Sequence, residues 1–572
     1  MNSHIRLNAL RIFVGLFSAA IILRLFMLQV VDASYYDALA KGQYTLYQDL
    51  FPQRGDILVQ DLQDGTTYAA ATNVQMGFVF ADPRHVKDVH AEAVTLGGLL
   101  VFSPEEIATL ETKLDKKDDP YEPIKRRVPE AILEQIDAAD LAGISYVRED
   151  VRTYPETGLG GQVLGFVGGN DDGSFSGKYG IEGTFDKALA GTAGFIRSER
   201  DVAGRFIASG DRAFEPAVDG SHVVLTIDRT IQFEACEKLK AAVIKYEADG
   251  GSIVVLDPKT GAVLAMCGDP DFDPNSYNVV KDINVFQNPA IFNAYEPGSI
   301  FKPVTMAAAL DAGVLTPATT FVDTGSVVVD EYTIKNADDK VYGEQTMTSV
   351  LENSINTGAI FAMEQMGKET FEKYVEAFGF GTYTGIELSG ESAANVSSLK
   401  EAAKSYAATA SFGQGITVTP LQVASAFAAM ANDGKLMQPY VVSEVRSPDG
   451  TVKKTTPHEV RQVISDHSAR LISAMLISVV ENGHGKKAAV PGYYIAGKTG
   501  TAQIPRADGL GYQTDATVGS FAGYGPVGDA RFAMVVRLDH PRAVRYAESS
   551  AAPVFGQLAE FLLRYFEVPP QR

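Results

Sequence analysis

The strongest departure from mixed polarity along the chain is at residues 12–31, IFVGLFSAAIILRLFMLQVV, an apolar run broken only by Arg24 and Gln29. About 20 such residues are enough for an α-helix to cross a bilayer. A secretory signal peptide is the other reading, with 12–23 as its apolar region and 31–33 as a small-residue cleavage site. Arg24 would split that region, whereas near a helix end it can snorkel to the headgroups, so the pattern favours an uncleaved anchor. Arg6 and Arg11 precede the run and Asp32 and Asp37 follow it. That basic bias predicts a cytoplasmic N-terminus and an extracytoplasmic remainder.

Beyond the anchor, residues 45–225 alternate short β-type runs with Gly-rich turns, as in GQVLGFVGG at 161–169 and SHVVLTID at 221–228, and carry one highly charged stretch at 111–127. This predicts an irregular, strand-rich pedestal. From Thr230 the period lengthens. IQFEACEKLKAAVIKY and FKPVTMAAALDAG read as helices, and GSIVVLDPKTGAVLAMCG as a hairpin turned at Pro258 to Gly261. LQVASAFAAMANDG is a helix stopped at Asn432-Asp433-Gly434, and ARFAMVVRLD a strand. Helix and strand mix without βαβ regularity, which predicts an α+β domain. No tandem repeat or low-complexity segment is present, which argues against a solenoid. The predicted organisation is 1–44 tail, transmembrane helix and juxtamembrane segment, 45–228 pedestal and 229–572 catalytic domain.

Composition narrows the chemistry. The 572 residues carry 50 Lys and Arg against 71 Asp and Glu, a net charge of -21, which leaves no electrostatic footprint for nucleic acid. Two cysteines, Cys236 and Cys267, and eight histidines without a ligand-spaced pair predict no metal site and no cofactor. The cysteines fall in different patterns, one helical and one strand-like, which favours two buried free thiols over a bridge. Tryptophan is absent, and nothing in the sequence explains it.

Three short segments carry candidate chemistry. In Glu296-Pro297-Gly298-Ser299-Ile300-Phe301-Lys302-Pro303, Pro303 is tolerated only in a first helical turn, so a helix begins at about Gly298 or Ser299. Ser299 then sits at a helix N-terminus with Lys302 three residues on, the arrangement of an activated serine if the lysine is neutral. Taken alone, S-x-x-K is more often an N-cap followed by a surface lysine. Ser354 and Asn356 in Asn353-Ser354-Ile355-Asn356-Thr357-Gly358 supply a hydroxyl and a carboxamide for one cleft, or merely a polar turn before a helix. In Gly497-Lys498-Thr499-Gly500-Thr501, the threonines share one strand face and Gly500 lets another backbone approach. Such a strand edge suits an extended peptide ending in a carboxylate.

The order S-x-x-K, S-x-N, K-T-G resembles the active-site set of penicillin-binding proteins and serine β-lactamases. The resemblance extends to YEPGSIFKP, ENSINTG, FGFGTYTGIELSGE, ASFGQGITVTPLQVASAFAAMANDG and GYYIAGKTGTAQIP, all similar to the transpeptidase domain of class B penicillin-binding proteins over roughly 230–565. RGDI at 54–57, GFVG at 165–168, YGIEGTFDKALAG at 179–191 and LTID at 225–228 resemble that class's N-terminal pedestal. Two departures stand out. The family usually continues its R-G-x-I with Asp-Arg, whereas this chain has Val59-Gln60-Asp61 after Leu58, and the Gly-Thr-Gly common before K-T-G is Gly483-His484-Gly485 here. His484 is expected to be a solvent-facing turn histidine rather than a cleft residue.

The resemblance implies a penicillin-binding transpeptidase fold and a serine D,D-transpeptidase that cross-links peptidoglycan stem peptides. By that resemblance Ser299 attacks the donor D-Ala-D-Ala bond and Lys302 takes its proton, with its pKa lowered by burial and by Lys498. Ser354 and Asn356 relay protons and hold the substrate amide. Lys498, Thr499, Gly500 and Thr501 form the carboxylate-binding strand, and the backbone N–H groups of Ser299 and Thr501 form the oxyanion hole. β-Lactams would trap Ser299 covalently. The tail at 521–542 and 551–570, with SERDVAGRFI at 198–207, is more similar to the division-type, septal subgroup than to the elongation type. A single-pass inner-membrane location, division-complex proteins and a SEDS-family glycan polymerase as partners are implied as well. A β-lactamase or carboxypeptidase would need a deacylation base that the sequence does not offer, and a β-lactam sensor of the same fold is the remaining alternative.

Overall fold

The computed structural model describes residues 3–33, 45–199, 212–506 and 511–572. Asp37, the juxtamembrane residues 34–44 and the part of the 198–207 segment beyond 199 lie outside the described residues. The chain forms two compact units, Met1–Gln53 with Ala190–Gly220, and Arg54–Leu189 with Ser221–Arg572.

In the first unit, helix α1 (Ser3–Phe26) continues into one π-helical turn, Met27–Val31. Residues Leu7–Val31, of mean hydropathy 2.2, are long and apolar enough to cross a membrane. The same unit holds a three-stranded antiparallel sheet of Thr45–Leu50, Gly194–Glu199 and Arg212–Glu215.

The second unit carries the pedestal motifs and the catalytic elements on one continuous apolar core, from Ile57 and Val59 through Val223 and Leu225 to Val254 and Val535. Strand His222–Asp228 is the junction. It pairs parallel with Ile57–Gln60 on one side and antiparallel with Val442–Arg446 on the other. Gln60, at the first departure from the family pattern, fastens all three strands: its side-chain amide nitrogen, Nε2, donates to Leu225 O at 2.7 Å and to Ser443 Oγ at 2.8 Å. RGDI and YGIEG meet in a buried ion cluster, where the fully buried Glu182 accepts from Arg54 and, at 2.6 Å, from Arg152 Nε. The pedestal is less purely strand-rich than its sequence suggests. Helices Val89–Leu99, Pro104–Leu114 and Glu130–Ala139 pack a separate core around Leu96, Leu110 and Leu133. The middle helix starts on a capping box, Ser103 with Glu106, and the charged stretch at 111–127 runs from its last turn into strand Glu122–Val128.

The catalytic part is built on helix α2 (Arg229–Tyr246) and a five-stranded antiparallel sheet, β1 (Gly250–Leu256), β2 (Val263–Asp269), β3 (Ala496–Pro505), β4 (Tyr512–Gly525) and β5 (Phe532–Asp539), in the order β2-β1-β5-β4-β3. Helices α3 (Lys302–Asp311), α4 (Met347–Glu352), α5 (Asn356–Met366), α6 (Pro420–Ala431) and α7 (Asp466–Glu481) form the layer on one face, and α8 (Ala551–Tyr565) packs with α2 against the other face. The α+β prediction and each catalytic-domain element predicted above are present.

The cysteine expectation is overturned. Helix α2 lies across β2, which brings Cys236 and Cys267 to a Cα–Cα distance of 5.3 Å, and the two form a disulfide. The periodicities were helical and strand-like as read, but periodicity does not tell which helix face packs on which strand.

Candidate active site

The nucleophile candidate, Ser299, sits in a turn at the start of a helix. Gly298–Phe301 form a 3-10 turn that runs into α3, with Pro303 in the first turn of the helix, where a missing N–H breaks no hydrogen bond. Gly298 adopts φ +57° and donates from its N–H to Gly413 O at 2.9 Å. Glu296 ties the same segment down by accepting from Gly415 N at 3.1 Å and Tyr512 OH at 3.0 Å. The turn also lies directly on β3. A Cβ at Gly500 would meet Ile300 Cγ2 at 2.7 Å and Pro297 O at 2.9 Å, so the close backbone approach expected at Gly500 is realised.

Two buried lysines converge behind Ser299. Lys302 is 1% exposed and Lys498 is 0% exposed. Lys302 Nζ donates to Ser354 O, to Asn356 Oδ1 at 2.8 Å and to Ser354 Oγ at 3.2 Å. Lys498 Nζ donates to the same Ser354 Oγ at 3.0 Å and to Thr499 O at 3.1 Å. Neither has a carboxylate partner among the described residues. Burial, reinforced by the charge of Lys498, holds Lys302 well below the ordinary lysine value of 10.5, and burial brings Lys498 down to about 7. Desolvation disfavours both ammonium forms, and two cations on one hydroxyl disfavour each other. Both shifts favour the free amine, the form in which Lys302 can accept a proton. Ser354 itself sits at φ +56°, a left-handed conformation that costs a non-glycine residue roughly 1–2 kcal/mol and is held here by both lysines.

The S-x-N turn is pinned from behind by residues that carried no sequence signal. Asn336 Oδ1 accepts from the backbone N–H groups of Asn356 and Thr357 at 3.0 and 3.1 Å. The buried Asp323 carboxylate accepts in turn from Asn336 Nδ2 and from Thr357 Oγ1, the latter at 2.6 Å. These donors outweigh desolvation and lower the Asp323 pKa below its ordinary value.

Ser299, Ser354, Asn356, Thr499 and Thr501 line one cleft of about 480 Å³. Thr499 and Thr501 do share the cleft face of β3, and β3 is the edge of its sheet, so its outer backbone groups are available to an added strand. Thr501 Oγ1 also accepts from Ala547 N at 3.1 Å. Lys498, by the strand alternation, lies under the cleft wall rather than on it and reaches the cleft only through Ser354 and Thr499. Gln503, Tyr546 and Glu548 are among the further lining residues and were not singled out in the sequence.

His484 is exposed in its turn, as expected, and it also borders the cleft, with Nδ1 at 3.1 Å from Glu548 Oε2. The turn is pressed against the end of α4: a Cβ on Gly483 would lie 2.6 Å from Glu352 O, and His484 N donates to that oxygen at 3.2 Å.

Comparison with known proteins gives a consistent picture. Residues 251–560 match the family described as the penicillin binding protein transpeptidase domain, and residues 49–225 match the penicillin-binding protein dimerisation domain. Stage V sporulation protein D of Bacillus subtilis is 33% identical over 578 residues, covering 100% of this chain and 88% of its own. A Mesostigma viride protein named peptidoglycan D,D-transpeptidase FtsI homolog is 29% identical, covering 97% of this chain and 94% of its own. The crystal structure of penicillin binding protein 3 from Mycobacterium tuberculosis complexed with aztreonam superimposes with a TM-score of 0.70 at 28% identity, covering 92% of this chain and 98% of that one.

Proposed function

Because the chain belongs to the penicillin-binding-protein transpeptidase family, we propose that it is a peptidoglycan D,D-transpeptidase, inhibited by β-lactams, whose acyl-enzyme forms on Ser299. The observation that carries the residue assignment is the convergence of Lys302 and Lys498 on Ser354 Oγ behind Ser299. Neutral Lys302 takes the Ser299 proton as Oγ attacks the carbonyl of the penultimate D-Ala. The terminal D-Ala nitrogen leaves after receiving a proton through Ser354. Asn356 binds the donor amide, and Thr499 and Thr501 bind the terminal carboxylate, with the buried Lys498 supplying the favourable potential from beneath. The N–H groups of Ser299 and Thr501 serve as oxyanion donors, each contributing a few kcal/mol to the transition state. An amine from a second stem peptide then displaces Ser299.

Residues 45–228 act as the pedestal and 229–572 as the catalytic domain. The positive-inside pattern around α1 supports a single-pass inner-membrane protein with its catalytic part outside, and the Cys236–Cys267 bridge fits an oxidising compartment. Similarity to penicillin binding protein 3 and to an FtsI homolog supports septal wall synthesis, with division proteins and a SEDS-family polymerase as partners. Full-length similarity to Stage V sporulation protein D supports a second reading, cross-linking during sporulation. The decisive experiment is labelling of the detergent-purified protein with fluorescent penicillin. Wild type should form a long-lived adduct that Ser299→Ala lacks. Equal labelling of both would sink the nucleophile assignment, and an adduct lost within seconds would make the protein a hydrolase.

A further inference from the structure

With the donor's terminal carboxylate at Thr499 and Thr501, the course of β3 sets the direction in which the rest of the donor runs. Residues 496–500 are buried, whereas Gln503 and Pro505 are exposed. A peptide added to this edge with its carboxyl end at Thr499 and Thr501 therefore lies antiparallel to β3, and its preceding residues pass toward Gln503. With the terminal D-Ala beside Thr501, the residue that precedes D-Ala-D-Ala falls beside Gln503, two strand positions on.

The segment carrying Arg545 is fastened at both of those positions. Ala547 N donates to Thr501 Oγ1 at 3.1 Å. Gln503 is paired with Thr517 of β4, and Thr517 Oγ1 donates to Arg545 O at 3.4 Å. Gln503, Thr517 and Arg545 all line the cleft that holds Ser299.

That cleft is a cationic island on an acidic protein. Lys335, Lys340 and Arg545 line it against Asp338 and Glu548, whereas the chain as a whole carries a net charge of -21. Both carboxylates face other groups: Asp338 accepts from Tyr546 OH at 3.2 and 3.1 Å, and Glu548 Oε2 lies 3.1 Å from His484 Nδ1. Lys335 Nζ lies 3.0 Å from Asp339. Arg545 and Lys340 have no carboxylate partner among the described residues, and of the two only Arg545 stands on the segment tied to Thr501 and Thr517. Arg545 Cζ lies 5.4 Å from the centroid of the Tyr546 ring, which is itself anchored through its hydroxyl to Asp338. A guanidinium set against a ring keeps its edge donors free for a carboxylate.

We propose that Arg545 binds a side-chain carboxylate on the residue preceding D-Ala-D-Ala, so that this protein prefers donor stem peptides with a diaminodicarboxylic acid at that position over those in which it is amidated. This rests on the transpeptidase reading and names the substrate class within it. Arg545 makes and breaks no bond; it raises the rate at which the matching donor acylates Ser299.

Penicillins mimic the acyl donor, with the acyl side chain in the place of that residue, so a matched pair reads the contact. Detergent-purified full-length protein is acylated by two penicillins whose side chains differ only in ending in a carboxylate or in its primary amide, and the ratio of second-order rate constants is taken. Wild type should favour the carboxylate by about fivefold, the upper range for an exposed ion pair. The ratio should fall to about one in Arg545→Gln, stay above one in Arg545→Lys, survive Lys340→Gln, and shrink between about 0.05 and 0.5 M salt as screening takes hold. A wild-type ratio of one or less, a ratio retained in Arg545→Gln, or a ratio lost in Lys340→Gln but not in Arg545→Gln would overturn the proposal. So would an equal preference when the carboxylate is moved one residue further from the reactive carbonyl. If Arg545→Gln does not fold, a wild-type ratio indifferent to salt overturns it instead. A wild type acylated by neither penicillin would defeat the transpeptidase reading itself.

Discussion

Lys302 and Lys498 share one hydroxyl, their Nζ atoms lying 3.2 and 3.0 Å from Ser354 Oγ. The pair titrates as a unit. Acylation should rise with pH as Lys302 loses its proton, well below 10.5, and decline as Lys498 loses its own at about 7. Lys498→Met removes the charge that depresses Lys302, so the acid limb should move to higher pH and the alkaline limb disappear. Rate constants for β-lactam acylation across pH read this directly, and an unmoved acid limb would refute the coupling.

The same lysine is expected to weaken the fold. Its pKa is depressed from 10.5 to about 7, so between those values the unfolded chain binds more protons and stability rises with pH. Below pH 7 the whole penalty is present. Lys498→Met should therefore raise stability near neutral pH by about 1–4 kcal/mol, while the variant acylates more slowly but measurably. A thermal melt at pH 7 and at pH 10 checks both, since the gain should shrink at the higher pH.

Asn336 acts on the chemistry through the S-x-N turn. Asn336→Ala releases the N–H groups of Asn356 and Thr357 and leaves the buried Asp323 carboxylate short of a donor. Losing one partner of a buried charged group costs about 1–3 kcal/mol. We expect that destabilisation together with a roughly tenfold slower acylation, the equivalent of about 1.4 kcal/mol in the barrier. Stopped-flow acylation and melting of the same preparation would show whether both occur.

Gly500→Ala tests the contact between β3 and the Ser299 turn. The new methyl would lie 2.7 Å from Ile300 Cγ2, 2.8 Å from Ser520 Oγ and 2.9 Å from Pro297 O. Two of these neighbours are themselves packed and the third is backbone, so relief requires the strand and the turn to separate. Overpacking of this kind costs about 1–3 kcal/mol. Penicillin labelling should fall more than the melting temperature alone would explain.

The disulfide closes a loop of sequence separation 31, for which chain entropy gives roughly 3–4 kcal/mol. Dithiothreitol, or replacement of Cys236 and Cys267 by serine, should lower the melting temperature by a corresponding amount. Intact mass before and after reduction and alkylation would report the bridge itself.

What the sequence made legible was local. Pro303 confines Ser299 to a helix start, and the two-residue period puts Thr499 and Thr501 on one face; both statements concern neighbours in the chain. Helix and strand periods were equally readable at Cys236 and Cys267, yet their meeting depends on α2 crossing β2, which no period encodes. Asn336, Asp323 and Glu548 were invisible for the same reason: each acts on a residue at least 20 positions away. His484 is exposed as a Gly-His-Gly turn suggests, but its place at the rim of the cleft was not readable, since it depends on the packing of Gly483 against Glu352 O. Lys498 was found but placed one layer too far out, since strand alternation sends it beneath the cleft that its threonine neighbours line.

Strand His222–Asp228 has a consequence for the order in which the protein can be made. One of its edges is satisfied by Ile57–Gln60, which emerge earlier, but the other waits for Val442–Arg446, more than 200 residues further on. Throughout that interval of synthesis the growing chain presents an unpaired β-edge lined by Val223, Val224 and Leu225, the kind of template that recruits other chains. Folding of this protein is thus expected to depend on protection of that edge, and truncated chains ending before residue 442 should aggregate where the full-length chain does not.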